Sequence, residues 1–262
     1  MLKSFNDDFN IQTRIAQYQA SLDERAYSIA KSFISAKIES QNVILRKYGL
    51  EPHIDNFKGI IERSEAKSLE LLRCRLTGIE GKHTQRYYQQ IFVLFPEKIR
   101  PTAWEGFMAY DGMNNTFNLA YEVLIWKIHK ALVRAKLEPY LGFLHSNQMI
   151  KRNLICDFQE LYRYLIDDFL IGYCQRINMR DFTVKEEVVN RRRTGKREVL
   201  NKSETSEILA ELNRFFENRV AVKRIRNGEH QTLETLINEE AQLFAKYLRG
   251  EAKVWIPRIP GN

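Results

Sequence analysis

Asp157 and Glu160 stand three residues apart in the stretch NLICDFQELYRYLIDDF. At about 100° per residue, Asp157, Glu160, Tyr164 and Asp168 form one helical stripe. Leu154, Phe158, Leu161, Leu165 and Phe169 form an adjoining apolar stripe. Carboxylates bordering an apolar seam are costly to desolvate unless a cation meets them. A divalent metal is one such cation; Arg163 and Lys151 are another. A metal needs further ligands, and His145, just past a break marked by Pro139 and Gly142, is one candidate. Glu80 is a second, because Gly78 and Gly81 flank it and thin the helix surface where a ligand or another helix would come close. Singly, each is ambiguous. A lone mid-helix Glu is usually solvated, a lone His is usually a core or surface residue, and Arg163 alone could balance Glu160 from three positions on.

Other chemistries find less support. Glu80 and His83 make a Glu-x-x-His pair, but a di-iron bundle needs a second such pair and two more glutamates. No second pair occurs, nor does zinc-protease spacing, a P-loop or a dinucleotide glycine pattern. Cys74, Cys156 and Cys174 are scattered and lie in helical patterns, as core thiols of a reducing compartment would.

The elements that must carry these residues are nearly all helices. Apolar residues from Ile15 to Ile44 recur at helical spacing until Pro52, and Asp55–Phe57 is the expected start of the next helix. No proline occurs between Ile60 and Phe95, and the two glycines in that run predict a kink or a close backbone approach. A helix is predicted from Gly112 to Lys136, and another from near Lys151 through Asp168. Phe182–Val189 and Lys196–Leu200 are rich in Val and Thr around an arginine-rich turn, which predicts a short hairpin. Ser203 or Thr205 is the expected cap of a helix reaching about Ile225, and a last helix covers Thr232–Leu248 before Gly250. The tail KVWIPRIPGN reads as extended. The expected class is all-α with one short β-hairpin near 182–200.

The chain has 262 residues, 44 % of them hydrophobic, enough for a substantial core. Lys plus Arg number 41 against 33 Asp plus Glu, a net charge of +8 that points toward a polyanion such as nucleic acid. The polar first ten residues do not read as a signal peptide, and no apolar run reaches the length of a membrane span. A soluble, cytoplasmic protein is expected.

Four ordered motifs resemble the CRISPR-associated integrase family, the "Cas-one" endonuclease of spacer acquisition. The first is an E-G element followed by aromatics: Glu80, Gly81, Tyr87 and Tyr88. The second is an aspartate-to-asparagine element leading into a helix: Asp111, Asn114, Asn118 and Tyr121. The third, the most specific, is the segment L-x-P-Y-L-G-F-L-H, matched from Leu137 to His145. The fourth is D-x-x-E-x-x-R, matched by Asp157, Glu160 and Arg163. The opening QTRIAQYQA…AKIESQN also resembles the helix that begins the family's helical domain.

The resemblance implies a single helical catalytic domain over 1–262, in which Glu80, His145 and Glu160 bind Mg²⁺ or Mn²⁺ and Asp157 is a supporting carboxylate. It implies an endonuclease and integrase that cuts and joins DNA, inserting protospacers into a repeat array. Expected partners are that DNA, a second copy of the chain, and the small CRISPR-associated partner protein. The family's usual N-terminal β domain is expected to be missing here and supplied, if at all, by a separate subunit. Lys82, Arg86, Lys151, Arg152 and Arg163 are the expected phosphate contacts, with Arg191–Arg193, Lys196, Arg197, Lys223, Arg224 and Arg226 further off. Tyr87, Tyr88, Tyr162 and Tyr164 could stack on bases or pack in the core, and His83 could join or compete for the ion. The competing expectation is a non-catalytic DNA-binding or scaffold remnant of such an integrase; a helical metal enzyme unrelated to DNA is weaker.

Overall fold

The computed structural model describes residues 7–53, 57–106, 109–145, 152–190, 193–220 and 231–259. The helices follow the apolar periodicity. Helices α1 (Asp7–Leu22) and α2 (Arg25–Lys47) meet at a short corner where Asp23 accepts from the Arg25 backbone N–H at 2.8 Å. After the short α3 (Phe57–Glu62) comes α4 (Leu69–Ile91), capped by Ser68, whose hydroxyl accepts from the Leu71 N–H. Of the expected start at Asp55–Phe57, Phe57 opens α3, and 55 and 56 lie outside the described residues.

Helix α5 (Gly112–Arg134) is the hub, packing against all the later helices that line the core. Its first turn is set by Asp111, which accepts from the Asn114 N–H at 2.8 Å, as an N-cap aspartate does. Phe117, Ala120, Tyr121, Leu124, Ile128, Ala131 and Leu132 are buried along one face at helical spacing. Each large apolar side chain removed from water there contributes about 1.5–3 kcal/mol.

The helix expected from Lys151 through Asp168 is instead two. Helix α6 (Asn153–Gln159) ends, a turn follows at Glu160–Tyr162, and α7 (Arg163–Tyr173) begins. Tighter three-residue bonds, Leu161 N–H to Phe158 O and Tyr162 N–H to Gln159 O, close that turn. The turn shifts the helical phase, so the predicted stripe does not run on. Asp168 pairs near the surface with Lys47 at 2.7 Å and with the Tyr48 hydroxyl at 2.8 Å, while its neighbour Asp167 faces the core.

Strands β1 (Phe182–Asn190) and β2 (Arg193–Leu200) form the expected antiparallel hairpin, with Phe182 opposite Leu200. It is moored to α5: the Glu198 N–H donates to Tyr110 O at 2.8 Å, and the Asn115 amide donates to Glu198 O at 2.7 Å. Helix α8 (Lys202–Glu217) is capped by Asn201 rather than Ser203 or Thr205. It stops at Glu217, short of the expected Ile225, because Asn218 turns extended and its carbonyl accepts from the Leu233 N–H. Strands β3 (Arg219–Val220) and β4 (Gln231–Thr232) then pair, and α9 (Leu233–Leu248) follows. The fold is mainly helical, as the periodicity predicts. Among the described residues no helix is long and apolar enough to cross a membrane.

The tail is extended but belongs to the core. The Trp255 ring centre lies 4.6 Å from that of Phe244 and 5.0 Å from that of Phe33, and its indole N–H donates to the buried Glu240. Arg258 supplies the counter-charge to Glu240 at 2.6 Å.

Candidate active site

Three segments far apart in the chain meet beside α5. Helix α2 contributes Lys37, on the same face as the buried Phe33, Ile34, Ile38 and Gln41. Its side chain is only 6 % exposed, and its ammonium ion-pairs with Glu80 Oε1 from α4 and lies 2.7 Å from Glu160 Oε2 in the α6–α7 turn. The Thr84 hydroxyl donates to Glu80 Oε1 at 2.9 Å. The Arg163 guanidinium is 3.7 Å from Glu160 Oε1 and lies over the Tyr121 and Trp104 rings at 4.3 and 4.8 Å. Burial pushes the Glu160 carboxyl up, but Lys37, Arg163 and His145 outweigh it and hold the pKa at about 2.

Beneath Arg163 lies a tyrosine–aspartate network. Tyr87 donates to Asp167 Oδ2 at 2.8 Å, Tyr121 donates to Asp167 Oδ1, and the Tyr88 and Tyr121 hydroxyls are 2.8 Å apart. Burial raises the Asp167 pKa to about 6, against the opposing pull of Arg163 and the two tyrosine donors. Tyr87, Tyr88, Tyr162 and Tyr164 are all buried, so base stacking by them is replaced by core packing.

His145 lies in the segment that follows α5. Gln17 of α1 holds that loop, its amide donating to Glu138 O and Leu141 O at 3.0 and 2.8 Å. Gly142 is needed for a close approach: a Cβ there would sit 2.7 Å from His145 O and 2.8 Å from the Asn153 carbonyl carbon. The fully buried Asp157 carboxylate then gathers the N–H groups of Phe143, Leu144 and His145 at 2.6, 3.1 and 2.9 Å. It also lies 2.7 Å from His145 Nδ1. A carboxylate has no proton to give, so Nδ1–H donates and Nε2 is the nitrogen left for another partner. Burial works against the imidazolium, yet the Asp157 hydrogen bond, with the Asp157 and Glu160 charges, raises the His145 pKa.

Glu80 and Glu160 are therefore brought together across one ammonium, and His145 lies close enough to Glu160 for each to shift the other's titration. Among the described residues no three His, Cys, Asp or Glu side chains stand close enough together to hold a metal ion. His83 does not turn toward the pair; its ring packs on His53 at 4.6 Å and on Phe57 at 6.2 Å. Gly78 and Gly81 bring no close backbone approach, since nothing lies within 4 Å of a Cβ at either, and α4 runs through them unbroken. Gly81 instead helps to open a cavity of about 370 Å³ beside Glu80, lined also by Thr84, Tyr88, Phe92 and Trp104.

The expected basic contacts divide. Lys82 is exposed on α4. Arg86 pairs with Glu51 at 2.8 Å, and Arg152 pairs with Glu122 at 3.2 Å while lying 5.0 Å from the Trp126 ring centre. Arg163 is turned inward onto Glu160. Lys151, Arg191, Arg192, Lys223, Arg224 and Arg226 lie outside the described residues, and nothing is described of the Arg193 side chain. Arg197 is bound to Asn115 and Ala109 O. Lys37 is absent from the sequence-predicted set, although a lysine on the apolar face of α2 is a visible signal. Thr84 and Asp167 are absent too, and they carry no comparable mark.

A sequence model of the family described as "CRISPR associated protein Cas1" matches residues 2–205. The CRISPR-associated endonuclease Cas1 1 of Archaeoglobus fulgidus is 30% identical over 182 residues, covering 61% of this chain and 53% of that protein. The CRISPR-associated endonuclease Cas1 3 of Thermus thermophilus is 26% identical over 252 residues, covering 95% of this chain and 71% of that protein. Against the Archaeoglobus relative, the chain thus spans about half the length. Among solved structures, a casposase bound to its integration product superposes with a TM-score of 0.77 at 23% identity, over 94% of this chain and 67% of the casposase chain.

Proposed function

The chain belongs to the Cas1 family of CRISPR-associated proteins, and from that premise we propose that it is the metal-dependent catalytic domain of a DNA endonuclease and integrase of CRISPR adaptation. One observation carries the reading: two glutamates from distant segments share a single cation, beside an imidazole oriented by a buried carboxylate. The Lys37 ammonium is a stand-in there, and the donor set it marks fits a hard divalent ion. Glu80, His145 and Glu160 would draw together, once Lys37 leaves, to hold Mg²⁺ or Mn²⁺. Such an ion supplies a Lewis acid for a phosphate oxygen and for the oxygen that attacks or leaves.

The protein's own residues do the remainder. Asp157 fixes the His145 ring and tautomer, so that Nε2 is the free ligand atom. Thr84 and Arg163 orient Glu80 and Glu160. Lys82, Lys151, Arg152 and Arg86 are assigned to backbone phosphates, the last two by exchanging their surface glutamate partners. Arg163 serves the site through Glu160 and reaches no phosphate directly. Proposed partners are protospacer and repeat DNA, a second copy of this chain and the small adaptation partner protein.

The test is Mn²⁺-dependent cleavage or joining of a branched duplex. Glu80→Ala, His145→Ala and Glu160→Ala should each lower the rate at least about 100-fold with the circular dichroism spectrum unchanged. Full activity in all three variants would refute the assignment. A cation site filled by a lysine also favours a second reading, a DNA-binding scaffold without turnover. That reading expects salt-sensitive duplex binding with no metal-dependent product from the wild type.

A further inference from the structure

We propose that Lys37 is an internal counter-ion that a divalent cation must displace, and that the released ammonium is received by a nucleic-acid phosphate, so that cation and phosphodiester bind cooperatively. The proposal rests on the metal-dependent reading above and names how that site is regulated.

Charge and space both lead here. Lys37 and Arg163 together balance Glu80 and Glu160, two positive against two negative groups. A divalent ion added to that set, with Lys37 left in place, would face an ammonium whose two carboxylates it had taken. Asp167, the next carboxylate along α7, is already committed to Tyr87 and Tyr121 and cannot receive it. The void at Lys37, lined by Ser40, Gln41, Thr84, Glu160 and Arg163, is about 10 Å³, room for no more than about one water. Ammonium and hydrated cation therefore cannot share it.

The way out is the larger cavity on the far side of Thr84 and Tyr88, which line both spaces. Glu80 is the one acid among the described residues lining that cavity, and it would be bound to the cation. No protein anion is left there for the ammonium; a phosphate entering beside Glu80 supplies one. A lysine on a flexible four-carbon stem can make that exchange, where a guanidinium fixed between Trp104 and Tyr121 cannot. By linkage, whatever the phosphate adds to cation affinity the cation adds to phosphate affinity. Without nucleic acid, Lys37 competes with the ion and weakens its binding.

The experiment titrates Mn²⁺ into the whole protein, following free Mn²⁺ by electron paramagnetic resonance, with and without a short duplex ending in dideoxy nucleotides. In the wild type the duplex should raise Mn²⁺ affinity by about ten-fold or more. Lys37→Met should bind Mn²⁺ about ten-fold tighter than wild type without duplex, and gain little from adding it. An amine-labelling reagent read by mass spectrometry follows Lys37 in the unaltered protein, so the answer does not depend on the variant folding. Lys37 should be protected in the metal-free protein, labelled with Mn²⁺ alone, and protected again with Mn²⁺ and duplex together. Lys37 protected throughout, or Mn²⁺ affinity unchanged in a folded Lys37→Met, overturns the displacement while leaving the metal site standing. No Mn²⁺ bound by the wild type under either condition overturns both.

Discussion

Asp157 holds four hydrogens with one buried carboxylate, three from backbone amides and one from an imidazole. Asp157→Ala would strand those donors, and truncating a buried charged acceptor costs about 3–5 kcal/mol; urea unfolding measures it. Asp167 makes an opposite kind of prediction. Its folded pKa, about 6, lies above the ordinary 3.8, so the folded protein binds the proton more tightly than the unfolded chain. The sign follows: this stability is complete below the ordinary value and is lost as pH rises through about 6. Relative to Asp167→Asn, which does not titrate, the wild type should lose up to about 3 kcal/mol between pH 4 and pH 7. Unfolding curves of the two proteins at both pH values test it. Glu160 runs the other way, its contribution present above 4.5 and lost as pH falls toward about 2. At this scale the sequence is legible where motifs speak: Glu80, Asp157 and Glu160 stand out by residue type and spacing. It is silent on Asp167, because only the turn at Glu160–Tyr162, which contains no proline or glycine, decides which of two adjacent aspartates faces inward.

That turn is also the instructive case among the elements. Periodicity alone extends one helix through it, because its cause is tertiary: Asp157 is drawn to the His145 loop while Glu160 is drawn to α2. The hairpin is legible because β-branched residues flank a turn-forming run. The end of α8 is not, because the strand pairing that stops it at Arg219 and Val220 is made with Gln231 and Thr232, well downstream in sequence. Glycines separate cleanly by their surroundings. Gly142→Ala would force backbone apart at the His145 loop and should cost about 1–3 kcal/mol, with a matching loss of the proposed Mn²⁺-dependent activity. Gly78→Ala meets open space within a helix and should stabilise by about 0.5–1 kcal/mol. Thermal melts of the two variants should therefore move in opposite directions.

For the molecule as a whole, the helical class can be read from apolar spacing, but the role of the tail cannot. Trp255 and Arg258 find Phe33, Phe244 and Glu240 only in three dimensions, and two nearby prolines make the segment look like a surface strand end. Ending the chain after Gly250 would uncover those rings and leave Glu240 buried without its cation. Loss of one partner of such a pair costs about 3–5 kcal/mol, readable as a lower denaturant midpoint. The net charge of +8 belongs to this scale too. If roughly six phosphates are neutralised, log affinity for duplex DNA should fall with log salt at a slope of about −5, and a slope near zero would exclude a backbone-tracking surface.

The Glu240–Arg258 pair also orders events during synthesis. The chain leaves the ribosome N-terminus first, so the Glu240 carboxylate, destined for a dry site, emerges ahead of the Arg258 that neutralises it. The hydrophobic seam between α2 and α9 therefore closes last, after the message has been read past that arginine. A message broken upstream of it yields a polypeptide with its core open.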